Sequence, residues 1–363
     1  MSLCDQSLSY VRSISAYQPG KPITQLAREL GIPAERIIKL ASNENPFGMS
    51  PKARVAVEAA IGSLERYPDD YDLKAALANR YGFGMERIVL GNGSNDVLDL
   101  IARVYLAPGR SAVLSQYAFS VYPLATISAG AEPIVVPAAA DFGHDLDSMR
   151  QAVRADTRLI WIANPNNPTG SFLAYEELRR FLQQVPSDVV VVLDEAYNEY
   201  IPPSEHVDTS AWLAEFPNLV ITRTFSKIYG LAGLRIGYGL ASAEIADLMN
   251  RVWQPFNCNN LAIAAATAAL GDEEFVARSY ALNRSGMEQV CAGLKRLGFE
   301  FLLSHGNFIA FKAGDAASVN DKLLRQGVIV RPLAGYQMKE WLRVTIGSET
   351  ENARFLDALS KAV

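Results

Sequence analysis

The sequence predicts an α/β fold: a mostly parallel sheet of seven strands in a large domain, followed by a smaller α+β domain. Between about residues 85 and 240, short β-rich runs alternate with segments whose apolar residues have helical spacing. One run, DVVVVLD at 188–194, is almost continuous in valine and leucine, which is typical of a strand buried on both faces of a parallel sheet. Together these observations predict a doubly wound sheet with helices on both faces.

The predicted elements follow in order along the chain. The seven strand-like runs are RIVLGNG, SAVLSQ, EPIVVP, RLIWIAN, DVVVVLDEAY, NLVITRTFS and RIGYGLA. Apolar residues within 97–105 and within 178–182 have the spacing of amphipathic helices. After about residue 250, long helical stretches precede the strand-like runs FEFLLSHGNFIAFKAG, GVIVRPL and EWLRVTIGS. We therefore predict an N-terminal arm at 1–45 that packs with the small domain or a partner subunit, a large domain at 46–250 and a small C-terminal domain at 251–363.

The composition is that of a globular protein with a sizeable core, and it argues against some kinds of partner. Of 363 residues, 49% are hydrophobic and 20% are charged, with a formal net charge of −5. Such an acidic chain is a poor match for nucleic acid or for an anionic membrane surface. The three cysteines and three histidines are scattered and form no disulfide framework or zinc motif. These features predict a cytoplasmic protein that holds no metal.

Polar residues follow four of the predicted strands. RLIWIAN runs into NPNNPTG, DVVVVLD ends at Asp194, NLVITRTFS is followed by Lys227, and RIVLGNG leads into a helix start at SND. Ligands of doubly wound sheets bind outside the carboxyl ends of the strands. We therefore expect these four segments to meet in one site.

Lys227 and Asp194 carry the most specific chemistry of these segments. Lys227 lies among small residues and glycines in TFSKIYGLAGLRIGYG, where burial and the nearby cation Arg235 would favour the neutral amine that forms an imine with a carbonyl. Asp194 ends a buried strand, where a carboxylate is costly unless it is paired, and a protonated pyridine nitrogen is a suitable partner. Taken singly, Lys227 also fits a surface turn, and Asp194 also fits a helix cap or an arginine partner.

The other motifs offer hydrogen bonds for a ring oxygen and for a phosphate. The Asn167 amide and the Tyr197 hydroxyl can donate to a phenolate oxygen, although Asn-Pro pairs are also common in plain turns. Amide groups at a helix start, with a hydroxyl and a guanidinium, favour a phosphate. The candidate phosphate ligands are Gly93, Ser94, Asn95, Ser226 and Arg235. Together the motifs specify a phosphorylated pyridine aldehyde.

In this order and spacing, NPNNPTG, DEAY and SKIYGLAGLRIGYG resemble the motifs of the pyridoxal-phosphate aminotransferases of fold type I. Stretches from YQPGKP and KLASNENPFG to GVIVRPLAGY and EWLRVTIGS resemble, more closely, the histidinol-phosphate aminotransferase group of that class. The resemblance implies a pyridoxal 5'-phosphate cofactor held as an imine by Lys227, which then shuttles a proton between substrate and cofactor. It also implies that Asp194 pairs with the ring nitrogen, that Asn167 and Tyr197 bind the ring oxygen, and that the ligands named above bind the phosphate.

The resemblance extends to residues that contact the substrate and a partner subunit. Tyr67 of RYPD would reach the phosphate of the neighbouring subunit's cofactor, which implies a homodimer with shared active sites. Arg343 of LRVT would bind the carboxylate of glutamate or 2-oxoglutarate, for which a bidentate arginine is better suited than a lysine. Arg331 of VRPL would help with the substrate's phosphate or distal carboxylate. Tyr17 and Asn45 are weaker candidates for substrate contact.

The residue that stacks on the cofactor ring is not settled by the sequence. Many relatives have PTY at this point, whereas this chain has SQYAFSVY. Phe119 aligns best, and Tyr117 is the other candidate.

The resemblance implies transamination in two half-reactions. Glutamate gives its amino group to the cofactor, and imidazole-acetol phosphate then receives it to become L-histidinol phosphate, a step of histidine biosynthesis. The alternatives are an aromatic amino-acid aminotransferase, a cofactor-dependent decarboxylase of an amino-acid phosphate, and the ligand-sensing domain of a transcription regulator. The acidic charge and the short segment before NENP argue against the regulator.

Overall fold

The computed structural model of the chain describes residues 2–16 and 20–362. In this part of the chain, the strands are β1 Ile38–Lys39, β2 Ile88–Gly91, β3 Ser111–Ser115, β4 Glu132–Val136, β5 Thr157–Ala163, β6 Val190–Asp194, β7 Leu219–Thr224, β8 Gly237–Leu240, β9 Phe308–Lys312, β10 Val328–Ile329, β11 Arg331–Pro332 and β12 Trp341–Thr345.

The helices in the same ranges are α1 Leu3–Gln6, α2 Ser9–Arg12, α3 Ile23–Leu30, α4 Pro51–Ala60, α5 Tyr71–Tyr81, α6 Ser94–Tyr105, α7 Val121–Ser128, α8 Leu146–Gln151, α9 Tyr175–Gln184, α10 Ala243–Arg251, α11 Asn260–Leu270, α12 Glu273–Arg296, α13 Ala316–Arg325 and α14 Glu349–Ala362. Short 3-10 helices lie at Ala34–Arg36, Ile61–Ser63, Met85–Arg87, Asn198–Tyr200, Thr209–Ala214, Ala232–Leu234 and Ala334–Tyr336. Across residues 2–16 and 20–362, no helix combines the length and the apolar character needed to cross a membrane.

The large sheet has the strand order β2-β8-β7-β6-β5-β3-β4. β8 runs antiparallel to β2 and β7, and the other neighbouring strands are parallel. The prediction of a mostly parallel sheet of seven strands is confirmed, because each of the seven predicted runs forms one of its strands. The parallel register aligns Ala163 of β5, Asp194 of β6 and Thr222 of β7. These strands therefore end together, at what we call the carboxyl edge.

Both faces of the large sheet are apolar. Successive side chains of a strand point to opposite sides, so a strand made of apolar residues contributes to both faces. Val191 and Leu193 of β6 belong to a buried cluster that also contains residues of α9 and α11. Val190 and Val192 belong to a second cluster, with residues of α6 and α10. A strand covered on both faces has no site for an unpaired charge within it. Polar side chains are therefore concentrated beyond the strand ends.

A smaller unit is built on the antiparallel sheet of β11, β12 and β9. Helices α12, α13 and α14 pack around it, with a core that includes Val290, Phe311 and Phe355. β1 comes from the N-terminal segment and pairs in parallel with β10. Residues 38–39 are thus part of the smaller unit, although they precede the large sheet in the chain.

Helix α11 packs with the large sheet rather than with the smaller unit. It contacts α4 and α5, and Ala262, Ala265 and Ala266 on it belong to the core of the large sheet. We therefore propose that the large domain extends through α11 and that the division between the two domains lies at α12, later than residue 250. The arm at 1–45 stays a prediction.

A buried ion pair lies beside the carboxyl edge. Arg223 Nε donates to Glu195 Oε2 at 2.9 Å, and the two side chains are 6% and 1% exposed. Thr209 Oγ1 donates to the second oxygen of Glu195 at 2.6 Å, and Arg223 Nη1 donates to the Tyr81 hydroxyl at 2.8 Å. Each buried charge thus has protein partners in place of water. The pair holds the residue that directly follows Asp194.

Glu195→Gln should lower the free energy of unfolding by about 3 kcal/mol, because it removes the closer and fully buried of the two carboxylates beside the buried Arg223 charge and leaves only Asp208 at 3.6 Å. Denaturant-induced unfolding followed by circular dichroism measures the loss. Glu132→Gln is the matched control, because its partner Arg154 lies on the surface, where ion pairs contribute far less. Equal losses in the two variants would contradict a stabilising role for the buried pair.

Candidate active site

The predicted site residues converge on one cavity of about 320 Å³ at the carboxyl edge. β5, β6 and β7 end at this cavity, α6 begins beside it, and β11 and β12 of the smaller unit each contribute an arginine. The predicted residues that line it are Ser94, Asn95, Phe119, Asn167, Asp194, Tyr197, Ser226, Lys227, Arg235, Arg331 and Arg343. The cavity is therefore shared between the two units of the chain.

Lys227 lies on a tight turn that follows β7. The Gly230 N–H donates to the Lys227 carbonyl at 2.9 Å, and Gly230 has a φ of +71°. A Cβ at Gly230 would lie 1.8 Å from the Gly48 carbonyl oxygen, so a residue with a side chain cannot occupy this position. This glycine allows the lysine turn to pack directly against the backbone at Gly48.

The Lys227 side chain reaches into the cavity. Its Nζ donates to the Ser42 carbonyl at 3.2 Å and lies 5.6 Å from the centre of the Tyr197 ring. Burial and the cations Arg343 and Arg235 lower the pKa of Lys227 to about 8, against the opposite effect of nearby carboxylates. Much of the group is thus a neutral amine near that pH, as a nucleophile requires.

Asp194 presents a buried carboxylate to the same cavity and is 5% exposed. The Tyr122 hydroxyl donates to its Oδ2 at 2.8 Å, and the Ala196 N–H donates to its Oδ1 at 3.2 Å. Burial raises the pKa of Asp194, and these hydrogen bonds act against that rise. Both donors are uncharged, so a cationic group in the cavity would be a favourable partner for the carboxylate.

Asn167 and Tyr197 are oriented by hydrogen bonds from behind. Arg343 Nη1 donates to Asn167 Oδ1, which leaves the NH₂ of that amide as the group available to a ligand. Asn43 Nδ2 donates to the Tyr197 hydroxyl at 2.8 Å, so the phenol keeps its own proton to donate. Burial raises the pKa of Tyr197 to about 12. Both residues can therefore offer a hydrogen to an oxygen atom in the cavity.

The start of α6 and Arg235 lie together and offer groups that can bind an anion. Gly93 precedes α6 with a φ of +89°, and a Cβ there would lie 2.3 Å from Arg235 Nη2. The missing side chain thus makes room for the guanidinium. Arg235 Nη1 donates to Ser226 Oγ at 3.3 Å and to the Ala232 carbonyl at 3.0 Å. The first amide groups of α6, a hydroxyl and a guanidinium are therefore side by side, as an anion requires.

Phe119 and Tyr117 occupy different environments. Phe119 lines the cavity and meets Tyr122 edge-on, with 5.8 Å between ring centres. Tyr117 instead stacks on Phe142, with 5.3 Å between ring centres, and packs with a cluster that includes Trp341. The geometry therefore favours Phe119 as the ring that faces a ligand.

Three predicted residues, Gly93, Asn45 and Tyr67, are not among the residues that line the cavity. Asn45 Nδ2 donates to the Ile228 carbonyl at 2.6 Å and to Ser279 Oγ at 2.9 Å, so its amide supports the lysine turn from outside the described cavity lining. Tyr67 is 78% exposed on the surface. Tyr17 lies outside the described residues.

The structure adds cavity residues that the sequence reasoning missed. Asn43 and Glu44 line the cavity and directly precede Asn45 in the NENP stretch, and substrate contact by Asn45 stays a prediction. Tyr122 also lines the cavity. No motif marks Tyr122, whose backbone N–H donates to the Phe119 carbonyl at 3.0 Å in the turn that leads into α7.

The site and fold define the class of protein. The profile of the family described as aminotransferase class I and II matches residues 35–359 of the chain. The chain belongs to the class I and II aminotransferase family.

Several members of this family are similar to the chain over its whole length. It is 72% identical to histidinol-phosphate aminotransferase 1 of Dechloromonas aromatica, with all of both chains covered. It is 57% identical to histidinol-phosphate aminotransferase 2 of Nitrosospira multiformis, covering all of this chain and 93% of that protein.

Solved structures support the same fold. The crystal structure of histidinol-phosphate aminotransferase from Sinorhizobium meliloti in complex with pyridoxal-5'-phosphate has a TM-score of 0.90 and 28% identity, covering 98% of this chain and 97% of that chain. A double mutant of Thermus thermophilus aspartate aminotransferase is 20% identical and has a TM-score of 0.85, covering 98% and 100% of the two chains. The predicted fold type I architecture is thereby confirmed.

In the protein without cofactor, Lys227 should be acylated with a midpoint near pH 8, because its surroundings lower its pKa to about 8. Competitive labelling with acetic anhydride across the range in which lysines titrate, read by peptide mass spectrometry, gives the midpoint. Arg343→Gln should move it upward, since that cation disfavours the ammonium form. The exposed Lys339 is the reference in the same sample, and identical midpoints for the two lysines would contradict the predicted shift.

Proposed function

We propose that this aminotransferase exchanges an amino group between glutamate and imidazole-acetol phosphate, giving 2-oxoglutarate and L-histidinol phosphate in histidine biosynthesis. The observation that carries the proposal is the 72% identity, over the full length of both chains, to an enzyme of that name. The cavity agrees with this reaction, because it combines a reactive amine with arginines for anionic substrates.

Pyridoxal 5'-phosphate fits the polar groups of the cavity. The buried carboxylate of Asp194 suits a protonated ring nitrogen, and the donors of Tyr197 and Asn167 suit the ring oxygen. The start of α6, with Ser226 and Arg235, suits the phosphate. We assign these roles to the residues, Lys227 to the aldehyde carbon, and Phe119 to the ring face.

Lys227 is the residue that we propose to move protons. The bound cofactor would accept the donor's amino group and, through its ring, withdraw electrons from the carbon next to the nitrogen. The Lys227 amine lies among Tyr197, Ser42 and the two arginines. Because the pKa of Lys227 is lowered toward neutrality, Nζ can act as a general base and remove a proton from that carbon. As a general acid, it can then deliver the proton to the aldehyde carbon of the cofactor.

Arg343 and Arg331 are the proposed anchors for the substrates. Arg343 is 6% exposed, donates to the Ala41 carbonyl at 2.9 Å and lies 5.1 Å from the centre of the Phe308 ring. Its planar fork is thus held in place for a carboxylate. Arg331 is less buried and lies at the cavity wall formed by the smaller unit, where the substrate's phosphate or distal carboxylate would enter. Tyr17 stays a weaker prediction.

We also propose a homodimer with shared active sites. Tyr67 is 78% exposed and stacks on Phe256, itself 52% exposed, with 4.4 Å between ring centres. Two adjacent exposed aromatic rings are typical of a protein interface. In the dimer, Tyr67 would reach the phosphate of the neighbouring subunit's cofactor. A cytoplasmic location, and the expectation of neither nucleic-acid nor membrane partners, stay predictions.

With 2-oxoglutarate as acceptor, kcat/KM for L-histidinol phosphate should exceed that for phenylalanine by on the order of 100-fold, because phenylalanine offers a carboxylate to Arg343 but no phosphate to Arg331. Steady-state rates for both donors measure the ratio. Arg331→Gln should lower the ratio, and Arg325→Gln, at an exposed arginine, should not. A preference for phenylalanine would move the protein to the aromatic aminotransferases. Release of carbon dioxide without a keto acid would indicate a decarboxylase.

Mixing two inactive variants tests the shared site. Lys227→Ala subunits lack the reactive amine, and Tyr67→Ala subunits lack the phenol offered to the partner. A mixed dimer would hold one site with both groups, so random reassortment should restore about a quarter of native activity. The control mixes native subunits with the Lys227→Ala, Tyr67→Ala double variant, whose mixed dimers have no complete site. No recovery in the first mixture would mean that Tyr67 does not serve the neighbouring site.

A further inference from the structure

Tyr122 is the closest side-chain donor to the carboxylate of Asp194. Its hydroxyl donates to Oδ2 at 2.8 Å, whereas the Ala196 N–H donates to Oδ1 over the longer distance of 3.2 Å. Tyr122 is completely buried and Asp194 is 5% exposed. In such surroundings a hydrogen bond to a charged acceptor is stronger than in water. The ionised form of Asp194 therefore depends heavily on this phenol.

The position of the Tyr122 hydroxyl is fixed by a closed set of contacts. The Tyr122 ring stacks on Trp161, with 5.3 Å between ring centres and 2° between the planes. Trp161 Nε1 donates to Thr126 Oγ1 at 3.1 Å. Thr126 Oγ1 in turn donates to the Tyr122 carbonyl, one helical turn earlier in α7, at 2.8 Å. These contacts fix the Tyr122 ring, and the phenol cannot turn away from Asp194 without breaking the stacking on Trp161.

The other groups around Asp194 do not replace this hydrogen bond. The side chain of Thr222 on β7 also lowers the pKa of Asp194, but by less than Tyr122 does. Glu195 carries a like charge and acts against ionisation of Asp194, but it is itself paired with Arg223. The Tyr197 hydroxyl accepts a hydrogen bond from Asn43 Nδ2. Lys227 lies across the cavity, with Nζ bonded to the Ser42 carbonyl.

We propose that Tyr122 is a positioning residue that keeps Asp194 ionised and aimed into the cavity, and so sets the affinity for a protonated ring nitrogen. The inference rests on the proposed cofactor, but not on which amino donor is used. Tyr122 also has a side toward the cavity, where it meets Phe119 edge-on. The hydroxyl acts through the carboxylate, while the ring supports the cavity wall.

The test compares Tyr122→Phe with Tyr238→Phe. Tyr122→Phe keeps the ring on Trp161 and removes only the donor. Tyr238→Phe removes an equally buried hydroxyl, which is bonded to the Tyr81 hydroxyl at 2.6 Å in the core. In the protein without cofactor, ¹³C NMR of labelled aspartate carboxyl groups follows the titration of Asp194, whose signal is assigned with Asp194→Asn. Equilibrium dialysis gives the dissociation constant of pyridoxal 5'-phosphate.

Tyr122→Phe should raise the titration midpoint of Asp194 and weaken binding of pyridoxal 5'-phosphate by about 10- to 100-fold, as the loss of a hydrogen bond to a charged group does. Tyr238→Phe should change neither quantity. An unchanged Asp194 midpoint in Tyr122→Phe, or equal effects of the two variants, would overturn the proposal. Neither the titration nor the binding measurement involves turnover, so their results do not depend on which amino donor the enzyme uses.

A second variant covers the case in which Tyr122→Phe does not fold. Thr126→Val keeps the phenol but removes the hydroxyl that joins Trp161 to the Tyr122 backbone. It should raise the Asp194 midpoint by less than Tyr122→Phe would, since the donor remains but is held less firmly. A Thr126→Val protein in which Asp194 titrates as in the native chain would also overturn the proposal.

Discussion

The site depends on the parallel register of β5, β6 and β7, which makes three buried strands end side by side. Because both faces of the sheet are covered by apolar clusters, a charge cannot be placed along β6 and is placed at its end, as Asp194. The turns that follow β5 and β7 place their polar groups at the same carboxyl edge. Asn167, Lys227 and Asp194 line one cavity because the strands that they follow end side by side.

The balance of charge within the cavity follows from the same confinement. Three arginines and a lysine face two carboxylates there, and none of these groups has full access to water. Burial, together with the cations Arg343 and Arg235, shifts Lys227 toward its neutral form, while burial pushes Asp194 toward protonation. Uncharged donors such as Tyr122 counter the second tendency without adding another positive charge near the lysine. The cavity can therefore hold a reactive amine and an ionised acid at the same time.

Much of this could be predicted from the sequence, because the strand-end motifs combine chemistry with strong backbone constraints. Lys227, Asp194, Asn167 and Arg235 follow strands that are apolar enough to be recognised, and their glycine and proline neighbours restrict the turns. The NENP stretch does not show from its sequence which asparagine faces the cavity. Asn43 has a φ of +56°, and its side chain, rather than that of Asn45, donates to Tyr197. Tyr122 has no motif of its own, and its importance appears only when α7 is placed over β5.

Contacts between distant parts of the chain were also beyond the sequence. The packing of α11 on α4 depends on small side chains of an alanine-rich helix, which give no indication of their partner. Tyr67 is exposed in the single chain, so the function of such a side chain can be read only together with the surface that covers it. In both cases the missing information is tertiary or quaternary, and no local spacing contains it.

Asn43 joins the two units of the molecule at the hydroxyl of Tyr197. Its side chain donates to Tyr197 of the large unit at 2.8 Å, while its backbone N–H donates to Thr345 Oγ1 of β12 at 2.9 Å and its carbonyl accepts from Asn307 at 3.0 Å. A rotation of the smaller unit would carry Asn43 with it and lengthen or shorten the bond to the phenol. The hydrogen bond that Tyr197 accepts is therefore fixed by the contact between the two units, so any change in their relative position would also change the acidity of this phenol.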